Sequence, residues 1–152
     1  MKNCKNHKNC IKEALSDAKI ICDQRGVQLT KLRETVLKLI WKNHSYVKAY
    51  DLLEELKKID HSAKPPTVYR SLDFLMENGF IHKIQSLNAF VGCSHLSEHN
   101  ECYFLICKEC QKIEECHSEN INKFVQSTSS NNNFSANQVT LEISGICQEC
   151  IQ

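Results

Sequence analysis

Residues 64–79, KPPTVYRSLDFLMENG, decide how the first half of this chain folds. Pro65 and Pro66 favour the first turn of a helix, and Gly79 favours the position just past its end, so a helix is predicted between them. Its predicted buried face consists of apolar residues at helical spacing: Val68, Leu72, Leu75 and Met76. Its predicted exposed face is polar: Thr67, Tyr69, Arg70 and Asp73.

The segments on either side of this helix predict a winged helix-turn-helix. Three helices are predicted before it: the first over residues 12–24, the second from an N-cap at Thr30 to about Lys42, and the third over residues 49–59. The predicted buried stripe of the third helix is Leu52, Leu53, Leu56 and Ile59. Two short strands follow, residues 80–86 and 89–92, with a turn at residues 87–88. In a winged helix the last helix enters the DNA major groove. A generic helical bundle with a solvated charged face is the alternative.

The second half predicts a small α/β unit. Strands are expected at residues 103–106, from Ile113, and along the alternating residues Val139, Leu141 and Ile143. A helix is expected over residues 118–127, with Ile121, Phe124 and Val125 facing inward, and the polar residues 127–133 are expected to form a loop. The fold class is therefore α+β: an N-terminal winged helix-turn-helix domain, residues 1–92, followed by a small α/β dimerisation domain, residues 93–152. Residues 1–11 are expected to form a mobile tail.

Charge and cysteine are divided between these halves. The 152 residues carry 19 basic and 18 acidic side chains and a net charge of +1. Residues 1–92 hold 16 basic and 10 acidic residues, a charge of +6, and residues 93–152 hold 3 and 8, a charge of −5. Seven of the ten cysteines lie in the acidic half. This division predicts a polyanion-binding domain joined to a metal-holding one.

The composition also excludes several classes of protein. With 41% hydrophobic residues the chain can bury a core, so global disorder is excluded. No apolar stretch is long enough for a membrane span, and the first thirty residues lack the apolar core of a signal peptide, so a cytoplasmic protein is expected. In a reducing compartment ten cysteines favour metal binding or redox chemistry over a disulfide framework.

Two CxxC pairs are the strongest chemical signal in the sequence. Four thiolates form the closed tetrahedral shell that is typical of structural zinc. A redox-active CxxC is the alternative, but that chemistry needs a single pair at a helix N-terminus, whereas here each of two pairs follows a predicted strand. The predicted ligands are Cys107, Cys110, Cys147 and Cys150.

A second group of candidate ligands surrounds the boundary between the halves. Nitrogen, sulfur and one carboxylate suit zinc better than magnesium or calcium. The candidates are His82, Cys93, His95, His99, Glu114, Glu115, Cys116 and His117. The N-terminal Cys4, His7 and Cys10 could also bind metal, although chance cysteines in a tail are the alternative.

Residues 64–83, the preceding AYDLL at residues 49–53 and the paired CxxC motifs together resemble the ferric uptake regulator family, and most of all its zinc-sensing branch. The resemblance covers roughly residues 12–150. It implies a homodimeric, metal-dependent repressor with no enzymatic activity and two Zn²⁺ ions per subunit, one structural and one regulatory. It places the structural zinc on the two CxxC pairs.

The resemblance also implies a regulatory zinc site. It maps this site onto His82, Cys93, His99 and Glu115, with His95 and Glu114 in reserve. The iron-sensing branch carries a histidine-rich run and a further helix histidine that this chain lacks, and Cys93 favours a thiophilic ion. One ion held by both halves would fix their relative orientation, and zinc and DNA would then bind with positive, reciprocal coupling.

The exposed face of residues 64–79 supplies most of the predicted DNA contacts. Arg70 is expected to read bases, because a guanidinium presents two donors to guanine. Lys64 is expected to contact phosphates, Tyr50 and Tyr69 to contact backbone or thymine methyl groups, and Thr67 to lie in the same DNA-binding face; the resemblance supports Tyr50 and Arg70. The expected partner is a palindromic operator of zinc uptake genes, bound by one homodimer or by two. A sensor of iron or another divalent metal and a zinc-containing thiol redox enzyme are the alternative functions.

Overall fold

The computed structural model describes residues 7–42, 45–96, 102–136 and 139–151. The described residues form five helices, α1 (His7–Arg25), α2 (Lys31–Trp41), α3 (Ala49–Lys57), α4 (Pro65–Glu77) and α5 (Glu119–Asn131). They also form five strands, β1 (Ile81–Ile84), β2 (Ala89–Gly92), β3 (Cys102–Cys107), β4 (Ile113–His117) and β5 (Glu142–Gly145). The chain divides into two compact units, with the boundary after Ser94. The predicted α+β class is confirmed.

The first two helices have the end signals expected from the sequence. Gly26 ends α1 with a φ of +67°, a conformation that favours glycine. The side chain of Thr30 accepts a hydrogen bond from the backbone N–H of Arg33 and so caps α2. However, α1 already begins at His7, so residues 7–11 are helical and the expected tail is too long.

The core of the first unit is built from the apolar faces of α2, α3 and α4. Its fully buried side chains include Val36, Leu37, Ile40, Leu52, Leu56, Val68, Leu72 and Leu75. Two sequence predictions were wrong. Ile59 is 65% exposed, because α3 ends at Lys57 and helical spacing no longer holds beyond it. Met76 is only half-buried, and Phe74 is buried instead.

Two arginines join the other helices to α4. Arg25 Nη1 donates a 2.8 Å hydrogen bond to the backbone oxygen of Asn78, just past the end of α4. The guanidinium of Arg33 lies 3.6 Å from the ring centroid of Phe74, a cation–π distance. These contacts connect α1 and α2 to α4 in addition to the packing of its buried face.

The hairpin predicted after α4 is confirmed. Strands β1 and β2 are antiparallel, with His82 opposite Val91, and Asn88 lies in the turn with a φ of +46°. Val47 forms a bridge to Phe90 and so adds a third chain segment to the hairpin. Gly92 lies against the indole of Trp41, where a Cβ atom would come closer than 3.0 Å. This close approach requires glycine at the end of β2.

The second unit contains a three-stranded sheet in the order β4-β3-β5. Strands β3 and β4 are antiparallel neighbours, whereas β5 pairs in parallel with β3 on its other side. The parallel pairing requires a crossover, and α5 lies in the connection from β4 to β5. Because β3 and β5 run in the same direction, the segments that follow them leave the sheet at the same edge.

Three expectations for this unit were wrong. The polar residues up to Asn131 continue α5 and do not form a loop; Asn132 caps the helix by donating its side-chain N–H to the backbone oxygen of Thr128 at 2.8 Å. None of the described residues of α5 is buried, and Phe124 is 67% exposed. Strand β5 begins only at Glu142, after Val139 and Leu141. An unburied apolar helix face indicates a surface that another chain can cover.

Candidate metal centre and nucleic-acid interface

The two CxxC pairs lie in the loops that follow β3 and β5. Cys107 is the last residue of β3, and Cys147 comes two residues after the end of β5. The backbone N–H of Lys108 donates to the oxygen of Gly145 at 2.8 Å, so parallel pairing extends into the loops. Parallel strands therefore bring together two motifs that are 36 residues apart in the sequence.

The four sulfur atoms have the spacing of a tetrahedral metal site. The Sγ atoms of Cys107, Cys110, Cys147 and Cys150 all lie within 4.8 Å of one another. The Sγ atoms of Cys110 and Cys147 are 3.7 Å apart. A tetrahedron with Zn–S bonds of about 2.3 Å has edges of about 3.8 Å. The donor set and its spacing therefore fit zinc.

The pKa values of two of these thiols are shifted in opposite directions. The backbone N–H groups of Cys110 and Cys147 donate to the Cys107 sulfur and lower the pKa of Cys107 to about 6. The neighbouring sulfurs, first that of Cys147, raise the pKa of Cys150 to about 12. Without a metal ion the group thus favours one thiolate and resists the next. A divalent cation offsets the repulsion and allows all four to ionise.

The first unit contains two of the predicted regulatory ligands. His82 is on β1, and Cys93 follows β2 and donates its backbone N–H to the oxygen of Phe80 at 3.0 Å. A ring nitrogen of His82 and the Sγ atom of Cys93 lie within 4.8 Å of each other. The antiparallel hairpin therefore brings this pair together.

The second unit contains the predicted carboxylate ligand. Glu114 and Glu115 point to opposite faces of β4, and Glu114 is exposed, whereas the side chain of Glu115 is only 5% exposed. Glu115 Oε1 is 3.7 Å from His117 Nε2. The ring centroids of His117 and His95 are 4.4 Å apart. His99 lies outside the described residues, so its role stays a prediction.

Two of the other described cysteines, Cys102 and Cys22, lie in environments that oppose thiolate formation. Burial raises the pKa of the Cys102 thiol to about 12, which opposes thiolate formation. Cys22 is buried in α1, and its pKa is also raised by burial. Cys10 is disulfide-bonded, whereas eight of the described cysteines are free. Cys4 and the side chain of His7 lie outside the described residues.

The exposed face of α4 presents the side chains predicted to contact DNA. Lys64, Tyr69 and Arg70 are exposed, and Thr67 is half-buried. The helix begins at Pro65 and Pro66, and the burial of Val68, Leu72 and Leu75 on the opposite face fixes its rotation about its own axis. Tyr50, near the start of α3, is 70% exposed. An α-helix with an exposed arginine and tyrosine in a basic unit can enter a major groove.

The sequence predictions missed several contacts around these sites. Lys112 Nζ lies 3.1 Å from Glu149 Oε1 and connects the two zinc-ligand loops. Arg25 and Arg33 hold α4 from two other helices. None of these pairs has a local sequence signal, because the partners lie far apart in the chain.

Comparisons of the sequence and of the structure with known proteins point to the same family. The model described as the ferric uptake regulator family matches residues 24–144. The chain is 38% identical over 148 residues to the zinc uptake regulation protein of Escherichia coli (strain K12), covering 95% of this chain and 85% of that protein. A solved zinc uptake regulator complexed with zinc and DNA has a TM-score of 0.87 and 36% identity, covering 93% of this chain and 95% of that one. The crystal structure of holo XcZur has a TM-score of 0.81 and 39% identity, covering 90% and 95%. None of the described helices is both long and apolar enough to cross a membrane.

Proposed function

Because this chain belongs to the ferric uptake regulator family, we propose that it is a zinc-responsive transcriptional repressor that controls zinc uptake genes. It binds a palindromic DNA operator as a homodimer when its regulatory site holds zinc. One observation carries this proposal: a four-sulfur site with tetrahedral spacing occurs in the same chain as an exposed α4 face with Tyr69 and Arg70. The similar regulator that was solved with zinc and DNA supports the same combination.

The proposed zinc content is two ions per subunit. Cys107, Cys110, Cys147 and Cys150 would hold the structural ion, which supplies charge compensation for the thiolates and stabilises the second unit. His82, Cys93, His99 and Glu115 would hold the regulatory ion. In the first unit, the proximity of His82 to Cys93 supports these two ligands. In the second unit, the low exposure of the Glu115 side chain supports Glu115 over Glu114.

Exposed apolar side chains on the second unit support a homodimer. Leu105, Ile143 and Ile146 are 38%, 47% and 52% exposed, and they line a groove of about 560 Å³. Phe124 on α5 is also exposed. Two dimers on one operator are part of the proposal.

The test of this function is DNA binding across a metal titration. A duplex is selected from a random library with the zinc-loaded protein, and its affinity is then measured by fluorescence anisotropy at buffered free Zn²⁺, Fe²⁺ and Mn²⁺. We expect zinc to restore tight binding at the lowest free concentration, with a gain of about 5- to 150-fold, as is typical of allosteric coupling. Restoration by iron at lower free concentration would support the alternative iron sensor and contradict the zinc assignment.

Arg70→Ala is expected to weaken binding to the selected duplex about 5- to 150-fold, because it removes the bidentate base contact that a guanidinium can make. Binding to an unrelated duplex should change much less, since phosphate contacts dominate it. Lys31→Ala is the matched control, because it removes the same charge from an exposed residue of the first unit. Equal losses on both duplexes would remove Arg70 from base recognition.

A further inference from the structure

The two zinc-ligand loops are joined by an ion pair that the sulfur ligands do not account for. Glu149 lies inside the second CxxC motif, and Lys112 lies two residues after the first motif, at the entry to β4. Lys112 Nζ is 3.1 Å from Glu149 Oε1, and the side chains are 49% and 75% exposed. Backbone contacts hold Lys112 in place, because its carbonyl oxygen accepts from the N–H of Cys107 at 3.0 Å.

Lys112 also lies in a negatively charged environment. Four thiolates with one Zn²⁺ carry a net charge of −2, and Glu109, Glu114 and Glu149 lie on the same loops and strand. The 3.1 Å contact with Glu149 Oε1 places the ammonium of Lys112 between the two ligand loops and among these acidic side chains.

We propose that the Lys112–Glu149 ion pair is a clasp that slows zinc release from the four-cysteine site by holding the 147–150 loop against the 107–110 loop. The clasp rests on the proposed function, since it presupposes that this site holds zinc. Lys112 and Glu149 are positioning residues: they do not ligate the metal, but they keep two sulfurs from leaving together. Ligand loops that open less often lose their ion more slowly.

Zinc release from the full-length protein tests the clasp. The protein is dialysed until only tightly held zinc is left, and release to excess chromogenic chelator is then followed at low ionic strength. Lys112→Met should release zinc about two- to fivefold faster, the range expected from an exposed ion pair. Lys112→Arg, which keeps the charge and the pairing, should restore slow release, and this rescue separates the clasp from a simple packing role.

Lys123→Met is the matched control. Lys123 pairs with Glu119 on α5 at 3.6 Å, and its side chain is 72% exposed. Its replacement by methionine changes the net charge of the chain by the same amount. This variant should release zinc at the wild-type rate. The acceleration in Lys112→Met should also shrink at 1 M salt, where the screening length falls to about 3 Å.

A double-mutant cycle decides whether the two residues act as a pair. If they do, Lys112→Met combined with Glu149→Gln should release zinc no faster than the faster single variant. Multiplying effects in the double variant, or wild-type release from Lys112→Met, would overturn the clasp. Zinc content of the wild-type protein is measured first: absence of tightly held zinc there would contradict the proposed structural site itself, whereas normal zinc with unchanged release rates would contradict only the clasp.

Discussion

Cys107→Ser is expected to lose the tightly held zinc and to destabilise the second unit of the chain. Cys107 is the last residue of β3 and accepts N–H groups from both loops, so its sulfur is central to the four-cysteine group. A unit of this size has a small core of its own, and a structural zinc ion contributes directly to its folding free energy. We expect a loss of about 4 kcal/mol or more and a fall in melting temperature of about 10 °C or more.

Zinc analysis, thermal unfolding and analytical ultracentrifugation of the same samples measure this effect. Cys116→Ser is the control, because Cys116 is a half-buried cysteine of the same unit that is not in the four-cysteine group. It should keep its zinc and its oligomeric state. A stable, zinc-loaded dimer of Cys107→Ser would contradict the structural assignment.

Cys93→Ser is expected to abolish the stimulation of DNA binding by zinc while the protein stays folded. The Cys93 sulfur is buried and lies within 4.8 Å of a His82 nitrogen, so serine removes the one soft ligand of the proposed regulatory site without a large change in volume. We expect the zinc-dependent gain of about 5- to 150-fold to fall to nearly one. The four-cysteine zinc should be retained.

Anisotropy titrations with and without zinc provide the measurement for Cys93→Ser. Cys22→Ser is its control, since Cys22 is a buried cysteine of the same unit on α1. That variant should keep its response to zinc even if it is less stable. An unchanged zinc response of Cys93→Ser would remove Cys93 from the sensor.

The parts of the fold that could be predicted are those with strong local signals. Pro65 and Gly79 bound α4, and Thr30 caps α2, so these helices agree with expectation. Ile59 and the end of α5 were mispredicted because apolar spacing and polar composition do not show where a helix stops. Phe124 was expected to face inward, but its side chain is 67% exposed, because apolar spacing along a helix does not show what the helix packs against.

The candidate sites also differ in how far the sequence alone could predict them. The four-cysteine group could be predicted because CxxC spacing brings two sulfurs to one ion without knowledge of the fold. The contact between Lys112 and Glu149 could not, because it depends on the parallel pairing of β3 with β5, which no local pattern indicates. The regulatory set, with His99, stays a prediction that rests on the family resemblance and on the separate placements of His82, Cys93 and Glu115.

The parallel pairing of β3 with β5 also has a consequence for synthesis of the protein. Cys107 and Cys110 emerge from the ribosome well before Cys147 and Cys150, and the 40 residues from Cys110 to Cys150 take roughly 2 to 8 s to translate. During that interval β3 lacks its neighbour β5, and a nascent chain offers a metal ion only two of four sulfurs. A chain that stops before Cys147 never completes the site. Stable zinc retention thus distinguishes a chain that includes Cys147 and Cys150 from one that stops before them, and it does so before either chain binds DNA.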